Sequence, residues 1–262
     1  MRYLVVKTDH HIVEPGMQLE GVDTAARAKA VVQSICSEPV HLECIVDLGD
    51  VGDTALNPNR AAAEGSVEAY KHAAEILSPI NDRSLYLPGN HDSPALLLEA
   101  LGSRWERSSN GCSVHHIPGV TLIGIDLRSG PVATGELREE TASELSKALE
   151  QAGRCIILSH YPWRPSDNPW IESNARVTNG ERVAAILAPH REKIVGAFHG
   201  HLHSWWTGSY AGISFYGCGG SAGGFVFEPE KPTNSRNPLA PFGYLLVGYD
   251  EQGGLLVRPR FI

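Results

Sequence analysis

Tyr3-Leu4-Val5-Val6-Lys7-Thr8-Asp9-His10-His11 opens the chain with an apolar run that stops at a cluster of donor side chains. The same order returns four times. Leu42–Leu48 leads into Gly49-Asp50-Val51-Gly52-Asp53, and Ser84–Leu87 into Gly89-Asn90-His91-Asp92. Cys155–Leu158 leads into Ser159-His160-Tyr161-Pro162, and Ile194–Phe198 into Gly200-His201-Leu202-His203. Each short run of β-branched and apolar residues reads as a strand, and each donor group sits in the loop that follows it. In a layered α/β protein, ligands bind beyond the carboxyl ends of the strands, so five such loops can converge on one place.

Helical patterns lie between these strands. Thr24–Cys36 is rich in Ala and Val at helical spacing, with Asp23 as its N-cap. Arg60–Leu77, Pro94–Leu101, Arg138–Gln151 and Glu181–Leu187 read as helices, with Ser93 as a cap before Pro94 and Glu139 and Glu140 in a first turn. Val120–Leu127 is a further strand. After Gly200 the pattern changes to strands only, at Gly212–Tyr216, Phe242–Tyr249 and Leu255–Arg258. The order is β-α repeats followed by a β-rich end, which predicts an α/β layered fold. No linker divides the chain, so one domain over residues 1–262 is expected. Tyr161–Gly180 and Pro229–Pro241 read as its longest loops.

The chain has 262 residues, 42% apolar and 20% charged, which is enough apolar material for a sizeable core. No stretch approaches the ~18–20 apolar residues of a membrane helix, and Met1–Lys7 enters a strand directly, so neither a membrane partner nor a signal peptide is expected. Five cysteines without a CxxC predict a reduced, cytoplasmic chain with buried thiols. The net charge of −8 argues against long nucleic acid held through phosphate contacts. A homo-oligomer is left open.

The donor types suit a pair of borderline metal ions, since imidazole favours zinc and iron while carboxylate and amide oxygens favour manganese. Asp9 and His11 are two apart, as are His201 and His203, so each pair would point one way in extended backbone. Gly49, Gly89 and Gly200 would let the chain turn tightly. Asp50 could bridge the two ions. Any one of these segments alone has a bland explanation as a polar turn; five in order, each after a strand, do not. Asp53 and Asp92 read as residues that hold loops or orient donors. His41, His72, His115, His116 and His190 read as surface or satisfied polar residues, His10 and His199 as facing away from the site, and Cys218 as structural.

Together the segments resemble the calcineurin-like metallophosphoesterase superfamily, whose pattern runs DxH, GDxxD, GNHD, a lone His, then GHxH. The match spans Asp9 to His203, and Gly243-Tyr244-Leu245-Leu246-Val247 is similar to that family's closing strand. Within it the chain is most similar to bacterial class III cyclic-nucleotide phosphodiesterases and their glycerophosphodiesterase relatives, through its size, Leu19–Thr24 and the intact Asn90-His91-Asp92. The resemblance implies a four-layer α-β-β-α sandwich. It implies two ions, Mn, Fe or Zn, one held by Asp9, His11, Asp50 and His203 and the other by Asp50, Asn90, His160 and His201. It places Asn90, His91 and His203 against the substrate, with His91 catalytic and not a ligand. Gly217–Gly223 and Tyr161-Pro162-Trp163 depart from the family pattern, and both departures are expected to bear on the substrate and not on the metal site.

The function that follows is hydrolysis of a small anionic phosphodiester, a 3′,5′-cyclic nucleotide or a glycerophosphodiester. A water shared by two cations becomes hydroxide near neutral pH and attacks phosphorus opposite the leaving alkoxide, with no covalent intermediate. His91 as imidazolium, charged through an acidic neighbour such as Asp9 or Asp92, would protonate the leaving oxygen. The alternatives are a phosphomonoesterase or nuclease with the same metals, and a non-catalytic scaffold on this fold.

Overall fold

The computed structural model describes residues 1–57, 59, 63–130 and 132–262. Two mixed sheets stack face to face. The first has strands β1 (Arg2–Lys7), β2 (Leu42–Asp47), β3 (Ser84–Tyr86), β13 (Gly243–Tyr249) and β14 (Leu255–Phe261), in the order β14-β13-β1-β2-β3. The second has β4 (Arg107–Ser109), β5 (Cys112–Ile117), β6 (Val120–Ile125), β7 (Cys155–Ser159), β8 (Ile194–His199), β9 (Trp206–Tyr210) and β10 (Ile213–Gly217), in the order β4-β5-β6-β7-β8-β10-β9. A separate hairpin pairs β11 (Gly224–Phe227) with β12 (Asn234–Asn237).

Strand alternation sorts the apolar residues into three cores. Leu4 and Val6 of β1, Val46 of β2, and Ile156 and Leu158 of β7 meet between the sheets. Val5 and Ile45 face the other way, against helices α1 (Thr24–Cys36), α2 (Val67–Asn81) and α3 (Pro94–Leu101). Ile123, Ile157 and Ala197 likewise face away from the sheet interface, against α4 (Glu139–Gln151) and α6 (Gly180–Leu187). Three cores between four layers give the α-β-β-α sandwich.

β1, β2 and β3 run parallel within the first sheet, and β6, β7 and β8 run parallel within the second. The carboxyl ends of β1, β2, β3, β7 and β8 therefore lead to one rim, which is where the donor loops lie.

Several element boundaries differ from expectation. The helix expected over Arg60–Leu77 begins at Val67 and runs to Asn81; residues 60–62 of that expectation lie outside the described residues, and 63–66 are irregular. Ser66 caps it by accepting from the Ala69 N–H at 3.1 Å. Pro79 lies inside it, and the Glu75 carbonyl that Pro79 cannot reach accepts from Ser78 Oγ at 2.9 Å. The loop at Tyr161–Gly180 contains α5 (Pro169–Asn174), and the loop at Pro229–Pro241 contains β12. Ser93 makes no side-chain cap, whereas Asp23 accepts from the Ala26 N–H at 2.8 Å. Cys36 is exposed, so four of the five thiols are buried and all five are unpaired. Among the described residues no helix is long and apolar enough to cross a membrane.

Candidate metal centre

Asp9, His11, Asp50 and His203 bring one donor atom each within 4.8 Å of one another. Asp50, His160 and His201 do the same, and Asn90 Oδ1 lies 3.1 Å from His160 Nε2. Asp50 belongs to both groups: its Oδ2 is 3.4 Å from His11 Nε2 and 3.3 Å from His160 Nε2. All seven side chains expected from the sequence are thus in one place, and five of them, His11, Asp50, Asn90, His201 and His203, line a cleft of about 380 Å³.

The backbone reaches this arrangement in a way that spacing alone does not show. Asp9, His11, Asp50, His201 and His203 have φ of 53°, 45°, 54°, 67° and 46°. The paired donors therefore do not converge by strand alternation. Each sits in the left-handed region, which Asp and His tolerate better than most residues but which still costs energy. The strain is held by bonds between loops: Asp9 N–H donates to the Gly49 carbonyl at 2.9 Å, and His11 N–H to the Asp50 carbonyl at 2.8 Å. Of the three glycines expected for tight turns, only Gly49 has positive φ, at 111°. Gly89 and Gly200 are required by close approach instead. A Cβ at Gly89 would sit 2.1 Å from Asp50 Oδ1, and one at Gly200 2.1 Å from Thr8 Oγ1.

Hydrogen bonds behind the rings set which nitrogen faces inward. His160 Nδ1 donates to the Leu48 carbonyl at 2.9 Å and His203 Nδ1 to the Gly223 carbonyl at 3.0 Å. His11 Nδ1 pairs with Asp53 Oδ2 at 2.7 Å. When its ring is neutral, each of these three presents Nε2 as a bare acceptor. His11 Nε2 and His203 Nε2 then face each other at 3.1 Å, and His160 Nε2 faces Asn90 Oδ1 and Asp50 Oδ2. His201 turns Nδ1 toward His160 Nε2 at 3.2 Å, and its buried Nε2 has no hydrogen-bond partner among the described residues. Lone pairs aimed at one another in a buried site repel unless a cation sits among them, so the donor set fits two metal ions.

The proton affinities show the same field. Burial alone would discharge His160, but the Asp50 charge and hydrogen bond outweigh it and raise its pKa to about 9. Burial, and then the His160 charge, push His201 down to about 3. His203 is raised because Asp9 outweighs its burial, and Asp9 is held below the usual carboxylate range by His203 and His160 despite its own burial.

Asp53 and Asp92 tie the loops together. Asp92 accepts from the backbone N–H groups of Val51, Gly52 and Gly89 and from Tyr70 Oη at 2.7 Å. Burial, then the Asp50 charge, raise its pKa to about 6. His91 lines the cleft; its N–H donates to Asp50 Oδ1 at 2.8 Å and its Nδ1 to the Ala63 carbonyl at 2.9 Å. The acidic group nearest its ring is Asp53, at 3.6 Å, and not the expected Asp9 or Asp92.

The expectation that both departures concern only the substrate is corrected for the Gly-rich loop. Ser221 and Ala222 N–H groups donate to the Asp9 carbonyl at 3.1 and 3.2 Å, and the Gly223 carbonyl orients His203. Tyr161 is buried, with its ring centroid 4.7 Å from that of His201. His10 and His199 stay out of the two donor groups. His10 instead joins a buried network with Lys7, Asp47 and Ser221, 3.0 Å from Lys7 Nζ and 2.8 Å from Ser221 Oγ. Sequence reading missed this network because Lys7 and Asp47 look like ordinary strand termini. It also missed Phe225, Phe227 and Arg236, which line the cleft, while Trp170 reaches the cleft from the long loop at Tyr161–Gly180. Asn168-Pro169, a cap followed by proline at a first helical position, was the available signal for the helix carrying Trp170.

Residues 2–205 match the calcineurin-like phosphoesterase family, and the chain belongs to it. It is a metallophosphoesterase, a hydrolytic enzyme. The 3′,5′-cyclic adenosine monophosphate phosphodiesterase CpdA of Haemophilus influenzae is 23% identical over 258 residues, covering 92% of this chain and 83% of that protein. The CpdA of Escherichia coli K12 is 26% identical over 214 residues, covering 79% and 73%. Among solved structures, a dimetal phosphatase from Danio rerio superposes with a TM-score of 0.64 at 16% identity, covering 94% of this chain and 92% of that one. The likeness to that structure concerns the fold.

Proposed function

We propose that the protein hydrolyses a small phosphodiester, such as a 3′,5′-cyclic nucleotide, at a two-metal site. The observation that carries this reading is the pair of donor groups that share Asp50, which lines the cleft. Asp9, His11, Asp50 and His203 would hold one ion, and Asp50, Asn90, His160 and His201 the other; Mn, Fe and Zn all suit nitrogen and oxygen donors. When bound, such a pair supplies charge neutralisation at the phosphoryl oxygens and an acidified water as nucleophile.

The chain's own residues do the rest. Asp53 and the Leu48 and Gly223 carbonyls fix the ring orientations of His11, His160 and His203. His91, with its Nδ1 hydrogen committed to Ala63, exchanges a proton with the leaving oxygen through Nε2. Asn90 and His203 border the substrate. Arg236 is the one Lys or Arg among the described lining residues, and it is ion-paired with Glu20. A dianionic monoester would need more cationic contacts than that, which favours a diester. The net charge of −8 disfavours a nuclease. The unpaired cysteines support a reducing, cytoplasmic setting.

The test is a hydrolysis screen of bis-p-nitrophenyl phosphate, p-nitrophenyl phosphate and cyclic nucleotides with Mn, Fe and Zn. Diester turnover that depends on added metal and exceeds monoester turnover in kcat/KM is the expected result. A kcat/KM for the monoester well above the diester value overturns the diester reading.

A further inference from the structure

A run of aromatic rings leads outward from the candidate metal centre. The His203 and Phe225 ring centroids are 5.3 Å apart and edge-on; Phe225 and Phe227 are 6.1 Å apart, and Phe227 and Trp170 5.9 Å apart with planes 31° from parallel. Phe225 and Phe227 flank Val226 on β11, so they share one face of the hairpin while Val226 faces solvent. All three rings are only half-buried, and all three line the same cleft as the metal donors. Trp170 and Phe227 rest in part on Ile171, Ala175 and Leu202, yet the three rings leave aromatic surface in the cleft that the metal donors also line.

One buried side chain holds the wall together. Asn168 Oδ1 accepts from the Trp170 and Ile171 N–H groups at 2.9 and 3.1 Å, which caps α5. Its Nδ2 donates to the Glu228 and Lys231 carbonyls at 2.8 and 2.9 Å, in the turn that joins β11 to β12. The residue that starts the Trp170 helix thus also anchors the Phe227 hairpin.

We infer that Trp170 and Phe227 are specificity-determining residues that stack on a planar aromatic ring of the substrate, a nucleobase or its equivalent, and that Asn168 positions them. The inference rests on the phosphodiesterase reading and names the part of the substrate that is not phosphate. Aromatic faces accept any flat ring without hydrogen-bond readout. A glycerol-type alcohol would set hydroxyl groups against apolar rings and lose their solvation.

Two measurements on the manganese-loaded protein test this. The first is equilibrium binding of adenosine 5′-monophosphate and of ribose 5-phosphate, which share phosphate and sugar but differ by the base. Stacking predicts that the nucleotide binds at least about tenfold more tightly. Trp170→Ala and Asn168→Ala should each narrow that ratio to about threefold or less, while Trp170→Phe keeps most of it. Equal binding of the two ligands by the unaltered protein, no binding of either, or an unchanged ratio in Trp170→Ala overturns the inference. The second is the ratio of kcat/KM for cyclic AMP to that for glycerophosphoglycerol, a diester with neither a flat ring nor a cation; the ratio should fall in the same variants. A flat ratio with brisk diester turnover sinks the aromatic site and spares the phosphodiesterase reading. A base-dependent binding ratio without diester turnover does the reverse.

Discussion

His91 and His201 both carry imidazoles to the same rim, but their surroundings assign them different work. His201 is in a donor group, with Nδ1 turned to His160. His91 spends Nδ1 on the Ala63 carbonyl and stands over the cleft. His91→Ala should therefore slow turnover of a diester with a poor leaving group by about 10²–10⁴-fold, the usual range for a general acid, with metal content unchanged. His201→Ala should lose metal. Parallel kcat and bound-metal measurements on the two variants decide it, and His91→Ala losing metal as His201→Ala does would reverse the roles. Asp50→Ala tests the sharing of one carboxylate: unaltered protein should saturate near two metals per chain, and the variant should fall to one or none. The candidate donors could be picked out because Asp, Asn and His after apolar runs have little reason to gather except around cations, and the fold does bring them together. Their geometry could not be. Left-handed φ at five of them, and the choice of Nδ1 or Nε2, depend on carbonyls and carboxylates from other loops, such as Asp53 behind His11 and the Gly223 carbonyl behind His203.

The loops after β2 and β3 act as one element because Asp92 ties them. Its two oxygens collect N–H groups from Val51, Gly52 and Gly89, and the Tyr70 hydroxyl ties in α2. Asp92→Asn keeps the shape but sets an amide N–H against backbone N–H groups. Losing buried acceptors costs about 1–3 kcal/mol, so thermal stability should drop and metal affinity with it, since Asp50 and Asn90 ride on these loops. A melting curve and metal titration matching the unaltered protein would show the clamp to be dispensable. The strand–helix order was readable because buried strands such as β1 and β7 carry continuous apolar runs, Tyr3–Val6 and Cys155–Leu158. β12 was not, because Asn234–Asn237 has no apolar residue, and its pairing comes from β11 opposite. β5 was hidden for another reason: His115 and His116 interrupt its apolar pattern.

At the scale of the molecule, the two sheets meet at the rim through the donor loops, and a polar seam ties α1 to β13 and β14 at the edge of the first sheet. Metal bound only to the folded state should stabilise the whole, by about 2.7 kcal/mol at a hundredfold excess over Kd, so a chelator should lower the melting temperature; an unchanged melt would argue against metal at the rim. The seam is Glu38, just beyond α1, which accepts from Arg260 Nε of β14 at 2.6 Å and from Tyr244 Oη of β13 at 2.8 Å. The Arg260 hydrogen bond comes first among the causes that hold the Glu38 carboxyl below its ordinary value of 4.5; the Tyr244 hydroxyl adds to it, and both outweigh its partial burial. A depressed carboxyl pKa means that the unfolded chain takes up the proton first as pH falls. The contribution of Glu38 is then fully present above about pH 4.5 and is lost as pH drops through its lower folded value. Glu38→Gln should cost about 1–2 kcal/mol at pH 7, discounted for the part-exposed arginine, or roughly 2–6 °C in melting temperature. Below the folded pKa both proteins carry an uncharged side chain there, so their melting temperatures should converge. Melts of the two proteins from pH 3 to 8 read this directly, and a gap that stays constant down to pH 3 would mean that packing of the side chain, and not its charge, holds the seam.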